Sequence, residues 1–433
     1  MHVRHSFVFT FVALFIAATF ALFNIPASHS VVAEKSDIVP GQYIVVLNDS
    51  VSASALPAVA NEMALRHGLA VGRSYTHAMR GFVATVPAGR LAALQADPRV
   101  RVVAPDRYVS FNPKPCRNNC GGDGGGSGPQ EIPTGIDRID AELSATANID
   151  GVDDRVDVDV AVIDTGISSH PDLNVVGGYN CSKGKPSNYS DGNGHGTHVA
   201  GTIAALDNDF GVVGVAPGAR LWAVRVLNNA GSGTLSDVIC GIDWVTANAD
   251  IIEVANMSLG GSGSDDGLSC AETSDPEKIA LCNATAAGVT FAVAAGNESD
   301  DTANHTPGAY DMVITVSALA DFDGKPGGLG SPTCRTDEDD TFANFSNYGA
   351  DVDIIAPGVC IKSTWNDGGY NTISGTSMAT PHVAGAAALY KATHPSASPD
   401  QVKNALLSSG TTDWDNSDDP DGIKEPLLNV GGY

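Results

Sequence analysis

Val156-Asp157-Val158-Asp159-Val160-Ala161-Val162-Ile163-Asp164-Thr165-Gly166 decides the fold. Val156–Ile163 reads as a strand, and its last four residues, Val160 to Ile163, are all apolar. A strand wetted on one face alternates polar and apolar residues, whereas one covered on both faces does not. The run ends in an acid, Asp164, at the carboxyl end of the strand, followed by a Thr-Gly turn.

Downstream of it, apolar strand-like runs alternate with helical ones. Strands are predicted at Arg220–Val226, Ile251–Met257, Thr290–Ala294 and Val313–Ser317, and helices at 195–206, 234–248, 276–287 and 376–392. This predicts an α/β body, a doubly wound and mainly parallel sheet with helices on both faces. Function in such a fold sits at the carboxyl ends of the strands. Upstream, strands at Gln42–Leu47, Val71–Thr76, Gly81–Val86 and Val100–Val103 with helices at 52–67 and 88–95 give the order β-α-β-β-α-β, a small split α+β domain. Between the two, 113–129 is rich in Cys and Gly and reads as a linker. Residues 1–33 carry Arg4, an apolar run from Phe7 to Phe23 and small residues up to Val31-Val32-Ala33, the pattern of a secretory signal peptide. A membrane anchor needs roughly 20 apolar residues and basic flanks, and neither is present there. The boundaries expected are 1–33 signal, 34–112 front domain, 113–129 linker or extension, and 130–433 body.

The 433 residues are 43% hydrophobic and 17% charged, enough apolar chain to build a sizeable core. Net charge is −26, and the body is more acidic still, with 15 basic and 44 acidic residues in 113–433, about −29, against a slightly basic front. Such a surface repels nucleic acid and anionic membranes, so neither is expected as a partner. All eight cysteines lie after residue 112, with no Cys-x-x-Cys pair to suggest zinc, and export makes disulfides their expected fate. Pairing neighbours joins Cys116–Cys120, Cys270–Cys282 and Cys334–Cys360, leaving Cys181 with Cys240, one of about 105 possible connectivities.

Three motifs carry chemistry. Asp164-Thr165-Gly166 ends a strand; Gly194-His195-Gly196-Thr197-His198 opens a small-residue helix; Gly375-Thr376-Ser377-Met378-Ala379-Thr380-Pro381 opens another, with Pro381 expected in its first turn. A serine hydroxyl is a weak nucleophile until a base takes its proton, and an imidazole base needs an acid to fix its tautomer. Each motif alone is weak. One Asp-Thr-Gly is half of what an aspartic protease needs; His195 and His198 lack the Glu of a His-Glu-x-x-His zinc site; a serine at a helix start is commonly a cap. Together, in the chain order Asp, His, Ser, they point to a serine hydrolase.

On these motifs the chain resembles the subtilases, secreted serine endopeptidases. Pro40–Leu47, Gly81–Val86 and Val102–Asp106 are similar to the family's inhibitory propeptide, and Pro426–Val430 to its terminal strand. The resemblance implies Ser377 as nucleophile, His195 as general base and Asp164 as orienting acid. Ala294-Ala295-Gly296-Asn297 is similar to the oxyanion motif, implying Asn297 and the Ser377 N–H as oxyanion donors. Asn297-Glu298-Ser299 is also a glycosylation sequon, but a glycan there would block the hole. Gly231, Ser232 and Gly233 with Ser258, Leu259 and Gly260 resemble the two segments that flank an extended substrate, and the resemblance implies Ala295 and Gly296 as further substrate-binding positions. Broad specificity with an apolar P1 residue is implied; Glu298, Asp300 and Asp301 at the rim could also admit basic side chains. A structural Ca²⁺ site is implied at Gln130, Asp172, Leu206, Asn208, Phe210 and Val212, six oxygens of the kind calcium favours. The acids of 337–340 and 413–421 read as solvated loops. Protein or peptide substrates, the chain's own propeptide as inhibitor, a monomeric enzyme and a propeptide junction between about 108 and 129 complete the expectation.

Two rivals make different demands. An inactive binding protein on this scaffold would lack one of Asp164, His195, Asn297 or Ser377, and all four are present. A lipase of the α/β-hydrolase kind needs a Gly-x-Ser-x-Gly elbow and the order Ser, acid, His, which this chain lacks.

Overall fold

A computed structural model describes residues 37–111, 114 and 128–433. The signal-peptide reading of 1–33, most of the 113–129 linker and the Cys116–Cys120 pair lie outside the described residues. Among the described residues no helix is long and apolar enough to cross a membrane.

The body is built on an eight-stranded sheet in the spatial order Thr341–Phe342, Ile314–Ala320, Thr290–Ala294, Val254–Met257, Asp159–Asp164, Arg220–Arg225, Val175–Asn180, with Ile354–Pro357 also pairing Ile314–Ala320. All pairs are parallel except Thr341–Phe342. Asp159–Asp164 is wholly buried, and its residues feed two cores alternately: Val160 and Val162 enter one, Ala161 and Ile163 the other. The first core contains residues of helices His195–Ala204 and Thr376–Thr393; the second takes in Leu235–Ala247 and Pro276–Ala286. That is the two-sided cover the apolar run requires. From Asp159–Asp164 the chain builds first toward Val175–Asn180 and later, from Val254–Met257 onward, in the opposite direction. Asp164 therefore ends a strand at the topological switch point, where parallel sheets open a crevice.

The front segment forms its own sheet, Ala70–Tyr75, Gly81–Thr85, Ile38–Leu47 and Val100–Ser110, over helices Leu56–His67 and Leu91–Gln95. Its core is Val45, Leu47, Leu56, Met63, Phe82 and Leu94 with their neighbours. Ile44, Val46 and Tyr75 project from the opposite side into the body's second core. Polar contacts complete this docking. Asp243 accepts the N–H groups of Thr76, His77 and Ala78; Arg73 pairs with Asp237 at 2.9 Å; Tyr75 Oη donates to the Ser236 carbonyl at 2.9 Å. Asp106, fully buried, takes the Ser236 N–H at 3.0 Å at the start of helix Leu235–Ala247, where the dipole favours a negative charge.

Several expected bounds move for identifiable reasons. The strand read as Val100–Val103 runs to Ser110: Ala104, Pro105 and Arg107 still pair with Ile38–Leu47, and Tyr108–Ser110 find their partners in the body. The helix read as 195–206 stops at Ala204, since the Leu206 N–H goes to the Asp172 carbonyl at 3.1 Å. Pro381 lies in the second turn of its helix, not the first. It cannot donate to the carbonyl of Ser377 four residues back, and the hydroxyl of Ser258 does so instead at 2.8 Å. Disulfides join Cys181–Cys240, Cys270–Cys282 and Cys334–Cys360, as neighbour pairing predicts.

Of the acids of 413–421 expected in a solvated loop, Asp413, Asp415, Asp418 and Asp421 are exposed, while Asp419 is not, nor is Glu425 just beyond them. Asp419 and Glu425 are buried, and both Glu425 carboxylate oxygens lack a hydrogen bond among the described residues. Burial pushes Glu425 up to about 8 and Asp419 up to about 6. A carboxyl group raised this way favours folding fully below its unfolded pKa near 4.5, and the contribution is lost as pH rises through the folded value. Glu425→Gln, made in a Ser377→Ala background to prevent autolysis, should therefore melt like its parent below pH 4.5. A gap in its favour should open between pH 4.5 and 8, reaching on the order of a few kcal/mol at pH 9. A gap independent of pH would show that the carboxyl is not buried uncompensated.

Candidate active site

The strand carrying Asp164 and the helix opened by His195 meet because glycine lets them. A Cβ on Gly196 would lie 2.2 Å from the Gly166 carbonyl oxygen. His195 Nδ1 is 2.9 Å from both oxygens of Asp164, and both side chains are buried. A carboxylate can only accept, so Nδ1 carries the proton and Nε2 presents a lone pair. Nε2 takes no hydrogen bond among the described residues. Asp164 Oδ1 is also held by the Thr165 N–H at 2.7 Å.

Asp191 holds the turn before this helix, and the sequence reading passed over it. Buried itself, it accepts from Thr165 Oγ1, from the N–H groups of Asn193, Gly194 and Thr197, and from Thr197 Oγ1, at 2.7 to 3.0 Å. Thr165 Oγ1 in turn accepts the Gly196 N–H at 2.9 Å, closing a network between the Asp164 turn and the His195 helix. The available signal was an acid four residues before a histidine at a helix start. His198 serves packing: Nε2 lies 2.9 Å from the Ile361 carbonyl, and burial pushes the ring down to about 3.

Ser377 stands in the first turn of Thr376–Thr393, whose N–H groups have no carbonyl within the helix to bond. That helix comes close to His195–Ala204 because Gly385 faces Val215 and the Ile203 carbonyl with no room for a Cβ. The Ser377 hydroxyl donates to the Ser258 carbonyl at 3.2 Å. Asn297 Oδ1 accepts from Thr376 N at 2.8 Å and Thr376 Oγ1 at 3.1 Å. Fixing Oδ1 fixes the direction of Nδ2, which lies near Gly375 at the start of the serine helix.

The cleft holds the end of the front segment. Tyr108, Val109 and Ser110 pair antiparallel with Thr234, Gly233 and Ser232. On its other side Ser110 exchanges both backbone hydrogen bonds with Gly260, each 3.2 Å. Phe111 then stacks on His195, ring centroids 3.8 Å apart and planes at 15°, and a Cβ on Gly231 would strike its ring. Lys114 N–H bonds the Ser374 carbonyl at 2.9 Å, three residues before Ser377. Ala295 and Gly296 run beside this cleft; the Gly296 N–H reaches Thr376 Oγ1 at 3.3 Å, and its φ of +112° suits glycine. The rim acids have partners of their own: Glu298 accepts the Asn297 N–H, Asp300 pairs with His305 at 3.1 Å, and Asp301 caps the turn that follows it.

The six positions expected to hold calcium come together. Gln130 bonds Asp207 and the Asn208 N–H; Asn208 Nδ2 and the Val212 N–H reach the two oxygens of Asp172; Phe210 N–H bonds Asn208 Oδ1; Leu206 N–H bonds the Asp172 carbonyl. Tyr370, absent from the sequence reading, adds its hydroxyl to Asp172 at 3.0 Å. One carboxylate, two amides and loop carbonyls form an oxygen-only set, which fits calcium and not a softer metal.

A buried carboxylate, the imidazole it orients and a serine at a helix start, on a doubly wound parallel sheet, define a serine hydrolase. Residues 156–423 match the subtilase family, and residues 42–112 match the peptidase inhibitor I9 family. The chain is 43% identical to subtilisin DY of Bacillus licheniformis over 286 residues, 65% of this chain and 92% of that protein. It is 39% identical to alkaline serine exoprotease A of Vibrio alginolyticus over 354 residues, 80% of this chain and 58% of that one. Among solved structures, a cold adapted subtilisin-like serine proteinase matches with a TM-score of 0.55 and 39% identity, covering 69% of this chain and 97% of that one. The chain belongs to the subtilase family. It is a serine endopeptidase with an I9-type inhibitory segment at its front.

Proposed function

We propose that the chain is exported as a zymogen and that Ser377, His195 and Asp164 hydrolyse peptide bonds, the first of them in the chain itself. The observation that carries this is the course of residues 108–111 and 114 through the cleft, paired as a substrate strand and lying against His195. A peptide held in this extended form exposes its carbonyl. The Ser377 hydroxyl turns from Ser258 toward His195 Nε2, which takes its proton as Oγ attacks. The imidazolium is held by Asp164 and then protonates the leaving amine, and water releases the acyl group by the same route. The tetrahedral oxygen is received by Asn297 Nδ2 and the Ser377 N–H, fixed donors that need no reorganisation. Apolar, broad recognition follows from backbone pairing along Gly231–Gly233 and Ser258–Gly260, with Ala295 and Gly296 at the P1 pocket. Calcium, held by Gln130, Asp172, Leu206, Asn208, Phe210 and Val212, would brace the loop that follows the His195 helix. The enzyme acts as a secreted monomer on proteins or peptides.

Phe111 lies on His195 and Lys114 bonds the Ser374 carbonyl, which supports processing at one of the three bonds between these two residues. Intact masses of the purified full chain after incubation should give a front fragment ending at 111, 112 or 113. A first cut beyond Lys114 would show that 108–111 binds as an inhibitor without being the substrate of processing.

A further inference from the structure

Loop 321–330, Asp321-Phe322-Asp323-Gly324-Lys325-Pro326-Gly327-Gly328-Leu329-Gly330, wraps around two acids further along the chain. Asp339 accepts the N–H groups of Phe322 and Gly330, each at 2.7 Å, and Asp340 those of Gly327 and Gly328. One carboxylate oxygen each of Asp321, Asp323 and Asp339 lie within 4.8 Å of one another. Asp321 and Asp339 are buried and Asp323 is half-buried.

Asp321 makes this more than a cluster. Its side chain is fully buried; Oδ1 accepts the Gly324 N–H at 2.7 Å, but Oδ2 receives no hydrogen bond among the described residues. Arg138 Nε lies 3.0 Å from Oδ2, yet that nitrogen has one hydrogen and gives it to Asp340 Oδ1 at 2.9 Å. The one guanidinium is thus shared among Asp321, Asp340 and, at 3.6 Å, Asp413, while Asp323 and Asp339 add two more carboxylates beside Asp321. A buried carboxylate oxygen in that position requires a proton or a further cation.

Size and access favour a cation. Two oxygens on one ion are separated by at most twice the metal–oxygen distance, roughly 4.6–5.2 Å for calcium and roughly 4.2 Å for magnesium. A surface cavity lined by Gly327, Gly328, Gly330, Asp339 and Asp340 opens beside the group, giving room for water as remaining ligands. We propose that Asp321, Asp323 and Asp339 hold a calcium ion that ties loop 321–330 to the body, at a site separate from the 206–212 loop. The spacing Asp321-x-Asp323-Gly324 marks it in the sequence, while the third ligand comes from 16 residues further on, inside the acidic run read as solvated.

The test uses the full chain carrying Ser377→Ala, stripped with chelator and titrated with calcium by calorimetry, with melting followed in parallel. The parent should take up one equivalent more than either Asp321→Asn or Asp323→Asn, and Asp172→Asn should remove a different one. Each loop variant should also lose part of the calcium-dependent rise in Tm. Asp323 is half-buried, so its variant decides the matter if Asp321→Asn fails to fold. Unchanged stoichiometry in Asp323→Asn overturns the proposal, as does a parent whose whole uptake disappears with Asp172→Asn. So does Asp321→Asn melting higher than its parent with calcium uptake intact, which would mean that Asp321 holds a proton.

Discussion

Ser377→Ala should lower kcat for an extended peptide substrate by about a million-fold, the size known for this family and not one computed from the present geometry. The serine hydroxyl is the only part of the side chain that can form the acyl bond, and alanine leaves the helix and its first-turn N–H groups in place. Some rate above water should survive, because Asn297 and the cleft still bind the substrate and its developing oxyanion. The same variant should keep residues 37–111 attached to the body, since the proposed self-processing needs the same hydroxyl. Steady-state kinetics on a refolded, circular-dichroism-matched pair measures the first effect. A loss of less than about a hundred-fold would place the nucleophile elsewhere.

Asp164→Asn should cost about ten-thousand-fold in kcat with the fold intact, the size seen for this change in serine proteases of another fold. The reason lies in the two 2.9 Å contacts from His195 Nδ1 to the carboxylate. An amide can turn its N–H toward Nδ1, which must then accept, and the imidazole proton moves to Nε2. The nitrogen facing the serine would then be a donor when a base is needed. Because the defect is one of tautomer, rate should recover in part at high pH, where hydroxide removes the serine proton without the imidazole. A pH-rate profile parallel to the wild type, displaced by less than tenfold, would show that Asp164 only packs.

Much of this was legible in the sequence because the local signals agree with the global fold. Val160–Ile163 could only be a strand buried on both faces, and the three motifs sit on the elements predicted for them. Neighbour pairing of cysteines held for the three pairs described. What escaped notice depends on contacts far along the chain. Val175–Asn180 was missed because Gly177 and Gly178 break its apolar pattern; they are there because Trp222 and the Ala223 carbonyl press on the backbone. Pro105, Asp106 and Arg107 do not read as strand, yet Asp106 is met by Ser236 and Arg107 by Glu277, 130 and 170 residues away. Pro381 broke a helix rule that a hydroxyl from Ser258 repairs. Asp191, Tyr370 and the burial of Glu425 likewise exist only once the chain is folded.

The central claim is that Ser377 is a nucleophile made reactive by His195. It is tested most directly by reacting the processed enzyme with a phosphonyl fluoride and mapping the adduct by peptide mass spectrometry. The account predicts one adduct, on Ser377, formed far more slowly after His195→Ala. An adduct on another serine, or labelling of Ser377 at an unchanged rate without the imidazole, would contradict it.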